Sequence, residues 1–400
     1  MHTCTNHLSE KRTQLIVWTL LCFIPIMGMG VDLISPSLPA ISNNFKVTPG
    51  LAQAVISLYL LGYALGNFFI GLLTDSLGRK KLLIIAWFGF LIASLLPIVT
   101  PDIHVLLTAR LLQGLSLGAV AVIMRSIFSD VLPPEKLIKI GTLMGTMWGL
   151  GPILGPFLGG YLQFYFGWTA GLYFFSIVAV LGLVSSFVLI PETHQARQEL
   201  NLKTMKRNML EVLKHRRFMV LVMLMGATYS LLIVFNTLAP FLIQTKMHYS
   251  SIFFGHFSLS LGIAFLAATF VCRYLLNKYK VKALYFFAIN SFFSLAILAL
   301  LASLQFSNSI TLLATASGLM FFATGFIFPL SAGKGMSFFR HIAGTASAIM
   351  YLINIALTSL SSFLASFIHI QNVSAILWIY VLLLGFCTAV YWMFFHSSQE

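Results

Sequence analysis

Apolar residues along this chain gather into long blocks separated by short polar interruptions. A helix needs about 20 apolar residues to cross a bilayer. Blocks of that length fall near residues 13–41, 51–73, 82–100, 103–129, 138–162 and 168–190, and again near 217–245, 250–276, 283–304, 309–331, 340–368 and 373–395. Gly, Pro or Ser interrupts each block, which membrane helices tolerate when neighbours satisfy the freed backbone groups. The pattern predicts an all-α membrane protein of twelve transmembrane helices.

The longest polar gap, residues 191–216, divides the chain nearly in half. It reads equally well as a surface helix or as a solvated linker. The two sides repeat each other. Asp32-x-x-x-Pro36 in the first block matches Asn236-x-x-x-Pro240 in the seventh, 204 residues later, and residues 73–77 match 275–279 at an offset of 202. Near-equal offsets predict two pseudo-symmetric six-helix bundles, residues 1–190 and 217–400, joined by a cytoplasmic linker at 191–216.

Composition agrees with a lipid solvent. Of the 400 residues, 59% are hydrophobic and only 8% charged, against roughly 25% charged in soluble chains. The net charge of +14 could suggest nucleic acid, but no basic stretch is interleaved with aromatics on a soluble face, so no nucleic-acid partner is expected. The basic residues instead follow the positive-inside rule. With the N-terminus inside, 20 of the 24 Lys and Arg fall on one side, Lys46 and Lys246 fall on the other, and Arg110 and Arg125 fall within the fourth block. Both termini are therefore expected in the cytoplasm of a multi-pass inner-membrane protein. Lys11 and Arg12 precede an apolar run too long for a signal peptide, which reads as an uncleaved first span. Cys4, Cys22, Cys272 and Cys387 form no CxxC pair, so neither a zinc site nor a disulfide framework is expected.

Ten acids are present, and only Asp32 is placed inside a block. An Asp at a membrane-helix centre costs roughly 3 kcal/mol to insert, and such acids commonly serve ions, protons or substrate. The alternative is a structural hydrogen bond. Arg110 and Asn236 are expected at similar depth, with Asp32 roughly 16 Å, Arg110 roughly 12 Å and Asn236 roughly 15 Å below one surface at 1.5 Å per residue. Three polar groups on three helices suggest a shared cavity. Tyr59, Tyr63, Trp148, Phe235 and Phe321 could line it, although any one of them is more often plain packing. His256 lies in the eighth block, where a hydrogen-bonded His is favoured over a proton shuttle.

Gly151, Gly155 and Gly159 recur every four residues with Pro156 and Gly160 between them, baring one helix face for close packing. Gly71-Leu-Leu-Thr-Asp75-Ser-Leu-Gly78-Arg79-Lys-Lys81 joins the second and third blocks. There Gly78 permits a tight turn, Asp75 can meet a helix N-terminus and Arg79 can reach Asp130.

At these residues the chain resembles the major facilitator superfamily, and within it the twelve-span drug:proton antiporters of the Bcr/CflA-like group. Residues 71–81 look like the superfamily's signature loop, and Arg110-Leu-Leu-Gln-Gly114 like its fourth-span motif. Gly151-x-x-x-Gly155-Pro156-x-x-Gly159-Gly160 resembles the antiporter motif, and Asp32-Leu-Ile-Ser-Pro36 the first-span motif. Ala343-Gly-Thr-Ala-Ser347 is similar to the opening of span eleven in the same group. In the second-half counterpart of the signature loop, Asn277 stands in place of the acid. Ile24 and Pro25 stand where some relatives carry a second acid, which disfavours multiply charged cations as substrates.

The resemblance implies proton-coupled efflux of small amphiphilic compounds such as drugs. Asp32 would carry the proton, and Arg110 would favour its charged form when paired with it. The within-class alternative is a dedicated exporter of one metabolite or siderophore. A membrane enzyme would need clustered acids or a His–acid pair, and a receptor would lack a reason for the repeat. No nucleotide loop is present, and no cofactor or metal is expected. The expected partners are a small-molecule substrate, protons and the lipid bilayer, with the chain acting as a monomer.

Overall fold

The computed structural model describes residues 9–193, 202–339 and 342–393. The first half comprises α1 (Glu10–Asp32), α2 (Leu38–Phe45), α3 (Pro49–Leu77), α4 (Arg79–Val99), α5 (Ile103–Val131), α6 (Pro134–Gly149), α7 (Gly151–Phe166) and α8 (Ala170–Val188). The second comprises α9 (Leu202–Lys214), α10 (Arg216–Pro240), α11 (Ser251–Leu276), α12 (Val281–Ala302), α13 (Ile310–Ser337), α14 (Ala343–Ala365) and α15 (Val373–Tyr391). No strand occurs among the described residues.

Eleven stretches of the described residues are long and apolar enough to cross a membrane. The expected span at 138–162 is not one helix but two of 16 residues each, α6 and α7, meeting at Leu150. Pro152 cannot donate the helical bond to the Trp148 carbonyl, and Gly149 and Gly151 flank the break. Together α6 and α7 complete the twelfth crossing. Of the two readings of residues 191–216, the structure supports the surface helix for its later part. This is α9, whose Val212 is buried with Phe218, Val222, Met225 and Met350.

Two other helices break where a proline follows a polar residue by four positions. α1 ends at Asp32, and a 3₁₀ turn (Ser35–Ser37) carries the chain into α2. α10 gives way after Pro240 to a π-helical turn, Phe241–Lys246. Each proline lacks the N–H that would bond the carbonyl four residues back, so the backbone oxygens of Asp32 and Asn236 lose their helical donors. Span one and span seven meet at these breaks. The Ser35 hydroxyl donates to the Asn236 carbonyl, and the Gln244 amide donates to the Pro36 carbonyl at 2.9 Å.

Glycines set how closely the helices approach. On α7, Gly151 lies on the backbone of Gly28, Gly155 on Asp32, Gly159 on Leu33 and Gly160 on Ser251 of α11. Gly62 and Gly66 of α3 face Leu111 and Leu115 of α5, while Gly114 and Gly118 of α5 face Tyr59 and Tyr63 of α3. Each contact admits backbone where a side chain would stand.

An even number of crossings returns the chain to its starting side, so the start of α1, the end of α8, α9 and the end of α15 share one end, the terminal end. The polar contacts between halves gather toward the other, distal end. There Ser359 of α14 donates to the Ser57 carbonyl of α3 at 2.9 Å, and Ser57 donates to Ser362 at 3.3 Å. Ser251 of α11 donates to the Gly160 carbonyl at 3.0 Å. Nearer the terminal end, the Arg125 guanidinium lies over the Tyr351 ring at 5.4 Å.

These glycine contacts differ in what an added methyl would meet. At Gly155 a Cβ would stand 2.7 Å from the Asp32 Cβ, whereas at Gly141 of α6 nothing lies within 4 Å. Gly155→Ala is therefore expected to destabilise the detergent-solubilised protein by about 1–3 kcal/mol through overpacking. Gly141→Ala is expected to leave stability unchanged or raise it by up to about 1 kcal/mol. Thermal melting followed by size-exclusion chromatography separates the two, and equal melting of both variants would refute the packing account.

Candidate functional site

Asp32 sits at the end of α1, 1% exposed, where the helix breaks. The Asn236 side-chain amide of α10 donates to its Oδ1 across the seam between halves. Asn236 is equally buried. The two residues matched by the internal repeat are thus direct partners, and no open space separates them.

Arg110, fully buried on α5, does not pair with Asp32. Its Nη2 donates to the Gly30 carbonyl at 2.7 Å, its Nε to the Val55 carbonyl at 3.2 Å and its Nη1 to Gln113 Oε1 at 2.9 Å. Its guanidinium also lies 4.3 Å above the Tyr59 ring. This corrects the expectation of an Arg110–Asp32 ion pair. The planar fork is committed to carbonyls of spans one and two, reaching span one two residues before the carboxyl. The Gly62/Gly66 and Gly114/Gly118 pairs bring α3 and α5 close enough for this, and those spacings are the sequence signal that could have located the clamp. Gln113 in turn donates to Ser94 of α4 at 2.9 Å.

The five expected aromatics divide. Tyr59 and Tyr63 are also buried, 2% and 5% exposed in the first half's core, with ring centroids 6.3 Å apart, and Tyr63 meets half-buried Trp148 edge-on at 5.8 Å. These three form a ribbon beside the seam, joined by Tyr229 of α10, which faces Trp148 and was not singled out from sequence. Phe235 and Phe321 do not line a cavity. They are 0% and 1% exposed in the second half's core, where Phe235 stacks on Phe254 and Phe257 and meets Phe321 edge-on. Packing, the commoner role of a buried phenylalanine, accounts for both. His256 is exposed and shares a 3.0 Å hydrogen bond with Tyr161 of α7.

A second polar constellation lies at the terminal end. Gly78 precedes α4 with φ +89°, a conformation that suits glycine, and it offers no side chain to cap the helix. Glu192, just beyond α8, supplies the missing acceptors. Its carboxylate takes the backbone N–H of Arg79 at 2.9 Å and of Lys80 at 3.2 Å. Buried Arg79 pairs with Asp130 of α5 at 3.2 Å, and Thr193 donates to the same carboxylate oxygen at 2.8 Å. Sequence reasoning missed Glu192 and Thr193 because they lie in a stretch read as linker. Gly71 is in α3 against Val122. Asp75 is in the same helix, and its side chain lies outside what the structure describes. Among the described residues, no group of three or more His, Cys, Asp or Glu could hold a metal ion.

The chain matches the profile of the Major Facilitator Superfamily over residues 20–356. It is 24% identical over 366 residues to an uncharacterized transporter of Rickettsia felis, covering 89% of this chain and 90% of the relative. It is 25% identical over 375 residues to multidrug resistance protein MdtL of Salmonella typhi, covering 93% and 92%. Among solved structures, it resembles a D-xylose-proton symporter at a TM-score of 0.73 and 16% identity, covering 95% of this chain and 98% of that one. It also resembles the nucleoside transporter NupG, at a TM-score of 0.71 and 16% identity, covering 97% and 100%.

Arg110→Ala strands the buried Gly30 carbonyl and the buried Gln113 Oε1, each costing about 1–3 kcal/mol when unsatisfied, so the melting temperature should fall clearly. Arg110→Lys should recover only part of the loss, because an ammonium lacks the planar fork. A lysine variant as stable as the parent would show that charge alone suffices. At the terminal end, Glu192→Ala should speed hydrogen exchange at the Arg79 and Lys80 amides. Lys136→Ala, which removes an exposed pair with Glu10, should leave those amides unchanged. Unaltered exchange in Glu192→Ala would contradict the capping role.

Proposed function

Because the chain belongs to the major facilitator superfamily, and is thus a membrane transporter, we propose that it is an antiporter exporting small amphiphilic compounds in exchange for protons. The observation that carries this reading is the position of Asp32. It is the only acid in the interior of the spans that the structure describes, and it lies buried on the seam between halves. A carboxyl there can change protonation and partner together when the halves move, as alternating access about a midplane site requires. The similarity to multidrug resistance protein MdtL supports amphiphilic compounds as substrates. The first-span and fifth-span motifs favour the drug:proton antiporters, the Bcr/CflA-like group among them.

In this reading the terminal end faces the cytoplasm of a bacterial inner membrane, as the distribution of Lys and Arg supports. The distal contacts then close the outer face, and substrate enters from the inside. Residues 1–190 and 217–400 rock against each other as two bundles, acting within a monomer. Arg110 and Tyr59 hold spans one, two and four together around Asp32. Tyr59, Tyr63 and Trp148 offer apolar and aromatic surface to a substrate with few polar anchors. The network of Arg79, Asp130, Glu192 and Thr193 favours one arrangement of the inner ends. Glycines of α7 let that helix slide closely along span one.

Proteoliposomes loaded with a fluorescent amphiphilic dye and given an imposed pH gradient test the proposal. Wild type should move dye against its own gradient, and Asp32→Asn should fall to the level of empty vesicles while remaining monodisperse. Uphill movement by Asp32→Asn equal to wild type would remove Asp32 as the proton carrier.

A further inference from the structure

The pair formed by Asp32 and Asn236 is incomplete as it stands. The Asn236 amide N–H donates to Asp32 Oδ1, yet Asp32 Oδ2 and Asn236 Oδ1 are both buried without a hydrogen-bond partner. Both orphaned atoms are acceptors unless a proton is added. A carboxylic acid and a primary amide can form a closed ring of two hydrogen bonds, amide N–H to acid carbonyl and acid O–H to amide carbonyl. One proton on Asp32 Oδ2 would satisfy both atoms at once.

Among the described residues no other donor serves them. The titratable and charged neighbours are Tyr59 of α3, Arg110 of α5 and Tyr229 of α10. Arg110 is committed to Gly30, Val55 and Gln113, and the Tyr59 hydroxyl makes no hydrogen bond. On α7, Gly155 packs against Asp32 and offers it no side-chain donor. The Ser35 hydroxyl is spent on the Asn236 backbone carbonyl. An ionised Asp32 would leave a buried charge with a single hydrogen bond, a costly arrangement.

We propose that Asn236 is a coupling residue: a proton on Asp32 completes an acid–amide ring with it, and this ring closes the distal end. The inference rests on the reading of Asp32 as the proton carrier and adds the partner that ties its proton to one conformation. Closure becomes a proton-dependent step because the ring spans the two halves. Deprotonation removes one hydrogen bond and leaves two unpaired oxygens at the seam, which loosens the distal end.

Spin labels at Asn44 and Lys246, exposed distal positions on the two halves, report closure in a variant freed of native cysteines. In the wild-type background the short-distance population should rise as pH is lowered. Asn236→Ala removes both hydrogen bonds of the ring and should reduce the closed-to-open ratio about thirtyfold in acid, the weight of two buried hydrogen bonds at roughly 1 kcal/mol each, and flatten the pH response. Asp32→Asn, which can form the ring as an amide pair, should stay closed at every pH. The exchanged variant Asp32→Asn with Asn236→Asp rebuilds the acid–amide pair and should regain the pH response. Persistence of the wild-type response in Asn236→Ala, or a folded exchanged variant without one, would overturn the proposal. Those outcomes leave uphill dye export untouched as a separate test. Uphill export surviving in Asp32→Asn would instead sink the proton-carrier reading, whatever the labels report.

Discussion

Inside a bilayer no water is available to a backbone carbonyl that has lost its helical donor, and the architecture is arranged around two such carbonyls. Pro36 and Pro240 free the oxygens of Asp32 and Asn236, each at the depth where a polar side chain is most expensive. The two broken helices answer by meeting. Ser35 takes the Asn236 carbonyl, the Asn236 amide takes Asp32, and Gln244 takes Pro36. The seam thus satisfies the freed Asn236 carbonyl and ties the first and seventh spans together, while Asp32 Oδ2 and Asn236 Oδ1 stay unpaired there.

Other features of the fold serve that meeting. The glycine face of α7 lets it lie on span one at Gly28, Asp32 and Leu33, and Gly160 extends the contact to α11 of the other half. Arg110 anchors the opposite side, holding carbonyls of α1 and α3 from α5. Its charge is buried but amply bonded, and the Tyr59 ring covers its face, as a cation in low dielectric requires. The arginine reaches span one at the Gly30 carbonyl, two residues before Asp32, and makes no direct ion pair with it.

The two polar constellations divide the labour between the ends of the molecule. At the terminal end, Arg79, Asp130, Glu192 and Thr193 tie α4, α5 and the segment after α8 within the first half. At the distal end, serines, an asparagine and backbone carbonyls tie one half to the other. Neutral hydrogen bonds between halves can break and reform at modest cost, whereas the charged network links elements within one half. The same scaffold appears in a sugar symporter and a nucleoside transporter. The fold therefore does not by itself specify a substrate.

The amino-acid sequence by itself determined what the bilayer dictates residue by residue. Span count follows from the length of apolar blocks, and the exceptional status of Asp32 follows from the cost of a charge in lipid. The two-half organisation is written in the offset between Asp32-x-x-x-Pro36 and Asn236-x-x-x-Pro240. Prolines and glycines also marked the places where helices would break or touch. Tertiary structure decided the partners. Arg110 and Asn236 lie at one depth on different helices, and depth alone cannot say which of them faces Asp32, because azimuth around a helix is set by packing. Phe235 and Phe321 read as aromatic wall residues, yet they face the second half's core, since an apolar ring carries no mark of which neighbour it meets. Glu192 caps a helix more than a hundred residues earlier in the chain, a pairing that only the fold can bring together.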